Sequence, residues 1–498
     1  MISRVMRGAF PLRRGEWGLG LFLYGLLTLM VAADWVGKLG ADSLFVKRWG
    51  VNYVPIMYII TPIAMLAVSA MIFLFVDRVR RRTLLLWYVA GVTLLSVAIQ
   101  AGVWVQGDYE FGWIVQPISY VFAHGVKETI YILFWVYAGN LYDAEQSKRL
   151  FPFFAGSVLI GKILGGAIGT GIAPVIHAEN FIGAQAVGFM VCFLALAVYR
   201  GLPEGLGSRV HDERPKGFRA SVRDSVDGYK AVSSDKMLRT FGVGVFFWYF
   251  LMQFGNFLYL VGLDQQTAGT GTQSEDAFSQ FYAGIYTSSS LVAIAIQSLI
   301  TSGLLRWMGI ARVLFLLPLW YLGSFAAAAL TFTGVGIAFL AGVAIQLGER
   351  IVIPAIHRPA TELVYSQVES SIRPRARAFL SGGVNAFGNF AAAVALLAGL
   401  RFSDMPTLLA VATALSGVYV YNAWHTMRVF GQRIVTNLNS IDPEVRFGAA
   451  EMLATEHGAV PDSLLRSLDG AIPADVEHGV RVALTRRGVL AVAADATE

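Results

Sequence analysis

The sequence predicts an all-α polytopic membrane protein: twelve transmembrane helices in two six-helix halves, followed by a short α-helical tail. Three observations predict it. The 498 residues are 56% hydrophobic and only 14% charged, where a soluble domain carries roughly 25% charge. Apolar runs long enough to cross a bilayer, about 20 residues each, recur along the chain. The loops between them alternate between basic and acidic, which is membrane topology. A pI near 9.3 and a net charge of +6 do not imply nucleic acid, because the basic residues sit in short blocks between apolar runs and form no continuous face.

In order, the predicted spans cover 18–40, 51–76, 84–105, 111–139, 149–174 and 181–200, then 240–263, 278–304, 310–331, 333–356, 376–400 and 406–429. The basic start (Arg4, Arg7, Arg13, Arg14) precedes span one without a small-residue cleavage site, so span one reads as retained. Arg78, Arg80, Arg81 and Arg82 follow span two. Arg306 and Arg312 follow span eight, and Arg358, Arg373, Arg375 and Arg377 follow span ten. The opposite loops carry Asp108, Glu110, Glu179, Asp264, Glu275 and Asp276. The positive-inside rule therefore places both termini in the cytoplasm, and the membrane is expected to be a bacterial inner membrane. The chain divides into a first half (1–200), a cytoplasmic linker (201–239), a second half (240–432) and a tail (433–498). In the linker, Phe218, Val222 and Val226 recur at helical spacing and predict a surface helix. In the tail, "DPEVRFGAAEML" opens an amphipathic helix with the stripe Val445, Ala449 and Leu453. It resembles the first helix of a HEAT repeat, and "ADVEHGVRVALTRRG" resembles a second partial unit. So few repeats do not stand alone, so the tail is expected to pack on the membrane domain or to meet a cytoplasmic protein.

An ionisable group at mid-bilayer costs about 2.5 kcal/mol or more, so it faces protein or a watery cavity and marks function. Span one has Asp34 and Lys38; span four has His124, Lys127 and Glu128; span five has Lys162. Span seven has Gln253 and Asn256, span ten has Glu349 and Arg350, and span eleven has Asn385 and Asn389. Neighbours at i and i+1 do not share a helix face. Glu128 therefore lies on the side of His124, and Lys127 on the side of Tyr131. Two arrangements stay open for these charges: contact with a solute, or ion pairs to Asp34 or Lys38. Lys162 sits beside Gly161, Gly165 and Gly169, a small-residue stripe for close helix packing. Glu349 and Arg350 read either as an inner gate or as a structural ion pair.

Two six-helix halves joined by a central cytoplasmic loop resemble the major facilitator architecture. The basic turn "FVDRVRRRTLL" resembles that superfamily's loop after helix two. In that architecture spans one, four, seven and ten line the cavity, and these carry most of the intramembrane polar groups here. Three blocks resemble the bacterial and plastid ATP/ADP translocase (nucleotide antiporter) family. They are "GADSLFVKRWGVNYVPIMYIITPIAMLAVSAMIFLFVDRVRRRTLL", with Lys-x-Trp-Gly-Val read as the start of span two; "LFWVYAGNLYDAEQSKRLFPFFAGSVLIG", with Glu145, Lys148, Arg149 and Phe151; and "RPATELVYSQVESSIRPRARAFLSGGVNAFGN". A subgroup of that family carries HEAT-like repeats. The resemblance implies an exchanger of nucleotides or similar phosphorylated organic anions, possible cargo including ATP and ADP. Lys38, Lys127, Lys162 and Arg350 would meet phosphate, with Asn256 and Asn385 as further solute-binding groups. Asp34, Glu128 and Glu349 would serve coupling or gating.

No G-x-x-x-x-G-K-[ST] loop, H-E-x-x-H motif or nucleophile elbow occurs, so an enzyme is not expected and no cofactor is implied. The single cysteine, Cys192, excludes an internal disulfide and a cysteine metal cluster. Two other readings stand beside the anion exchanger. One is a proton-coupled transporter of another solute, with Asp34 or Glu128 as the proton site. The other is a membrane anchor or sensor that shows its tail to a protein partner.

Overall fold

The computed structural model describes residues 13, 16–76, 79–106, 112–139, 141–142, 144–199, 218–269, 271–331, 335–369, 372–453, 460 and 473–486. These residues form helices joined by short turns, with no strand among them. In chain order the helices are α1 Trp17–Leu44, α2 Val54–Val76, α3 Arg81–Val105, α4 Val115–Ala138, α5 Ala144–Ile176 and α6 Phe181–Val198. There follow α7 Phe218–Ser234, α8 Lys236–Gln266, α9 Thr272–Leu299, α10 Thr301–Met308, α11 Ile310–Val313, α12 Leu316–Thr331 and α13 Val335–Leu347. The chain ends with α14 Arg358–Tyr365, α15 Arg373–Ala378, α16 Asn385–Phe402, α17 Met405–Asn437, α18 Pro443–Leu453 and α19 Ala474–Arg486.

Among the described residues nine helices are long and apolar enough to cross a membrane, and the bent pair α9–α10 makes a tenth. The remaining two predicted spans fall on α4 and on α13 with its continuation to His357. The protein is an integral multi-pass membrane protein with an all-α fold. The Asp108 and Glu110 loop, Arg4, Arg7, Arg14 and Arg78 lie outside the described residues, as does the stretch between α18 and α19 apart from Val460.

The chain forms two compact units. The first joins Met1–Pro215 to Leu260–Leu291. Its centre is α1, which packs against α4, α5 and α6. Lipid is as apolar as leucine and gives helices little hydrophobic reason to associate, so small residues that let backbones approach do the work. The stripe on α5 behaves this way. A Cβ on Gly161 would lie 2.7 Å from the Thr28 carbonyl oxygen, and one on Gly165 would lie 2.7 Å from that of Ala32. On the other side of α1, a Cβ on Gly188 of α6 would lie 2.5 Å from the Ala33 Cβ.

Helix one is longer than its sequence suggests. The predicted end at residue 40 reflects the polar run Gly40–Ser43, but the helix continues to Leu44 and then as a π-helical stretch, Phe45–Trp49. Lys47, Arg48 and Trp49 therefore finish helix one and do not begin helix two. Gly50 makes the turn, with φ of 102°, a conformation that side chains disfavour.

The second unit comprises Lys216–Tyr259 and Val292–Glu498. In it α12 packs along α17. A large apolar core gathers the linker helix, the loop helices and the tail, including Val232, Phe241, Val364, Phe430, Leu453 and Val480. The linker helix α7 forms as expected, but Val226 of its predicted apolar stripe is exposed. The face that meets protein is marked by Gly228, against the Arg375 carbonyl and Phe379, and by buried Val232. In the tail α18 and α19 pack on each other, and α18 packs on α17. Val445, Ala449 and Leu453 are all buried, as the stripe required. Arg446 ties the two tail helices through Asp475 at 2.5 Å.

Candidate functional site: a buried charge cluster on helix one

Lys38 is 7% exposed and Asp42, one turn later, 2%. The Lys38 Nζ donates to Asp42 Oδ2 at 2.5 Å and to the Tyr282 hydroxyl of α9 at 3.2 Å. It also lies 5.5 Å from the centre of the Trp35 ring and 5.3 Å from that of Tyr282. The other oxygen of Asp42 faces α4, with Oδ1 3.0 Å from His124 Nε2. Tyr120 stacks on the His124 ring at 4.3 Å. One carboxylate thus bridges a lysine and a histidine, and through the lysine the cluster joins three helices. Buried charges persist in this form because each opposes another and fills its hydrogen bonds.

The sequence-selected residues fall around this cluster unevenly. An ion pair does join span four to helix one, but between His124 and Asp42, a residue that the sequence reading passes over. Asp34 is buried one turn before Lys38, within electrostatic reach of Tyr88. Lys127 is half-buried on α4, with its charge felt at His124. The side chain of Glu128 lies outside the described residues. Lys162 is half-buried on α5.

At the end of helix one lies a second set of ion pairs. Lys47 Nζ donates to Asp264 Oδ1 at 2.7 Å and to the carbonyl oxygens of Asp264 and Thr267 at 3.0 and 2.8 Å. Arg48 grips Glu275 with two nitrogens, at 2.6 and 2.9 Å, and reaches Glu179 at 3.1 Å. Asp264, Glu275 and Glu179, read in the sequence as markers of an outer loop, are therefore also structural partners. Nearby, Asp276 accepts from the Ala178 amide at 2.6 Å and lies 2.7 Å from His177 Nδ1. That hydrogen bond and the neighbouring negative charge raise the His177 pKa above its ordinary value. A raised pKa means that the contact stabilises the fold fully below about pH 6.5 and that this stabilisation is lost as pH rises through the raised value. The variant H177N, chosen because asparagine tolerates the positive φ of 60° found there, is expected to unfold at a lower temperature than the parent at pH 6. At pH 9 the two should coincide. An equal difference at both pH values would refute the contact.

In the second unit, Arg350 is 9% exposed. Its Nε donates to Gln346 Oε1 at 3.1 Å, and the Gln346 amide donates to Asn256 Oδ1 of α8 at 3.0 Å. The guanidinium lies 5.7 Å from the centre of the Tyr259 ring. Two sequence-selected residues, Arg350 and Asn256, are thus joined through Gln346, which was not selected. Glu349 is half-buried beside them, within electrostatic reach of Tyr321. Asn385 does not join this line; it accepts from Asn389 at 2.7 Å. Glu349 and Arg350 belong to a π-helical stretch, Gly348–His357. Pro354 lies within it and cannot donate to a helical ladder, and such stretches recur at functional sites. Arg149 of the second family-like block is bidentate to Glu16, at 2.9 and 2.7 Å, tying the start of α5 to that of α1. The side chains of Glu145 and Lys148 lie outside the described residues.

No protein-family model matches the sequence, and no curated protein matches it. Solved structures do match. The crystal structure of the nucleoside transporter NupG is 15% identical with a TM-score of 0.56, over 83% of this chain and 99% of that one. An auto-inhibited peptide transporter of the POT family is 12% identical with a TM-score of 0.55, over 84% and 98%. The xylose transporter XylE from E. coli, in an inward-open conformation, is 14% identical with a TM-score of 0.51, over 82% and 95%. The fold is major facilitator-like. At these identities the likeness speaks for the fold, and a major facilitator-like fold hosts many cargoes, so the chemistry has to be argued from this chain's own residues.

Proposed function

We propose that the protein is a secondary transporter that moves a phosphorylated organic anion, a nucleotide foremost, by alternating access. The observation that carries this reading is the line Arg350–Gln346–Asn256, with Arg350 and Gln346 buried and Asn256 half-buried among membrane helices. A guanidinium is permanently charged and planar, and beside amide donors it suits phosphate or carboxylate oxygens. Lys127 and Lys162 add positive charge on α4 and α5, and Lys38, whose charge Asp42 balances, is assigned to the same binding role as a hydrogen-bond donor. Asn385 is assigned to the same binding role, and Asp34, Glu128 and Glu349 to coupling or gating. The ATP/ADP translocase resemblance of the three sequence blocks supports the nucleotide and a bacterial inner membrane, and the basic loops support cytoplasmic termini.

The test is uptake of labelled ATP, ADP and a neutral nucleoside into proteoliposomes. The nucleoside arm is included because NupG is a nucleoside transporter. The phosphorylated compounds should enter and the nucleoside should not. R350A should lower nucleotide uptake about ten-fold or more, since hydrogen bonds to a charged group contribute about 1.5–3 kcal/mol. R350K should recover only part of it, because lysine lacks the planar fork. Uptake of nucleoside alone, or nucleotide uptake unaffected by R350A, would overturn the assignment.

A specific observation also favours a role for the tail. Ile441 and Phe447, at its start, are 96% and 53% exposed, so the HEAT-like unit presents apolar surface that a cytoplasmic protein would cover. On this reading the tail recruits a partner in addition to the transport function.

A further inference from the structure

The Lys38–Asp42–His124 cluster has a property that ion pairing alone does not require. Lysine and aspartate cancel each other, so the cluster is neutral when His124 is neutral and carries one positive charge when His124 is protonated. Asp42, held by the Lys38 ammonium at 2.5 Å, stays a carboxylate and has no proton to donate. The hydrogen in the 3.0 Å contact with His124 therefore resides on Nε2. That leaves Nδ1 as the atom where a proton is gained or lost.

Access differs across the cluster in the direction such a role needs. The Asp42 side chain is 3% exposed and the His124 side chain 22%. The imidazole is thus the more open of the two groups. The ring stack of Tyr120 on His124 places an electron-rich face against the imidazolium.

Other titratable groups surround the cluster. From α1 these are Asp34, Lys38 and Asp42 itself. From α2 and α4 they are Tyr58, Tyr120 and Lys127. From α9 it is Tyr282. The tyrosines are neutral near pH 7, so the charge at this point is set by the two lysines, the two aspartates and the state of His124.

We infer that His124, oriented by Asp42, is the proton-binding group of this transporter, and that its protonation switches the cluster from neutral to cationic and so admits an anionic cargo. The proton is taken from water at Nδ1 on one side of the membrane and returned to water from the same atom on the other. No covalent bond to cargo is involved. The cargo part of this inference rests on the transporter reading above; the proton site does not. It differs from the carboxylates selected in the sequence, Asp34 and Glu128, because Asp42 now serves as an orienting anion and the imidazole as the carrier. Histidine suits the task because its charge changes within the physiological pH range.

The experiment uses the full-length protein in two arms. In lipid nanodiscs, infrared difference spectra between pH 5 and pH 8 should show an imidazole titration that disappears in H124Q and shifts in the double variant K38M/D42N. In proteoliposomes, uptake of labelled ATP should rise several-fold from pH 8 to pH 6, and H124Q should flatten that profile whatever its absolute rate. A wild-type spectrum unchanged by H124Q overturns the proton site. So does an ATP profile that keeps its pH dependence in H124Q. If ATP does not move at any pH, the cargo reading fails, and the infrared arm still decides the proton site.

Discussion

Asp42→Ala is expected to destabilise the protein by about 3–5 kcal/mol, read as a large fall in unfolding temperature in detergent. That is the cost of breaking a buried ion pair by removing one member. The reason lies in what remains. Lys38 is 7% exposed, and without Asp42 its contacts include the Tyr282 hydroxyl and two aromatic rings, none of which cancels a full charge. His124 also loses the acceptor 3.0 Å from Nε2. The double variant K38M/D42L should recover most of the loss, because replacing both members of a buried pair with apolar groups of similar volume is often neutral or stabilising. The two results together separate stability from function. A stable double variant that no longer transports would show that the pair is kept for its charge. A single variant as stable as the parent would show that the pair is hydrated and contributes little.

The fold was legible in the sequence because hydropathy and loop charge are local signals, and the long apolar runs became membrane helices. The site was legible only in part. Lys38 stood out, yet Asp42 was lost because the polar run Gly40–Ser43 looked like a helix end. Had the helix been extended, Asp34, Lys38 and Asp42 would have fallen on one face at four-residue steps. Gln346 was readable in the same way, one turn before Arg350. The contact of Asp42 with His124 was not readable, since 82 residues separate them. Nor was the joining of Lys47 and Arg48 to Asp264 and Glu275, more than 200 residues away. Their acids had been used for topology, and a loop charge says nothing by itself about its partner. The π-helical stretches Phe45–Trp49, Gly348–His357 and Phe379–Val384 are not legible either, because an apolar run reads the same whichever helical period it adopts. Two of them carry charged residues of the clusters described above.

Gly165→Leu should have the larger effect on folding, with loss of monodisperse protein in size-exclusion chromatography. A Cβ at Gly165 would stand 2.7 Å from the Ala32 carbonyl oxygen and 2.7 Å from the Trp35 Cβ. Both belong to α1, and one is backbone, which no rotamer change can move aside. The remaining leucine atoms would have to displace α5 from α1 at the centre of the first unit. Overpacking a protein interior costs typically 1–3 kcal/mol when side chains can yield; here the helix axis itself must yield, so the cost is higher. The damage would also reach the charge cluster. Trp35 meets Tyr286 at a tilt, at 3.9 Å between ring centres, and its ring lies 5.5 Å from the Lys38 ammonium. The control is Gly171→Leu on the same helix. Nothing lies within 4 Å of a Cβ there, and an apolar side chain facing lipid is tolerated in a membrane helix. Loss of folded protein in both variants would mean that α5 fails with a bulkier residue at either position. Loss at Gly165 alone would locate the close contact that sets α5 against α1 and, through Trp35, holds Lys38 in place.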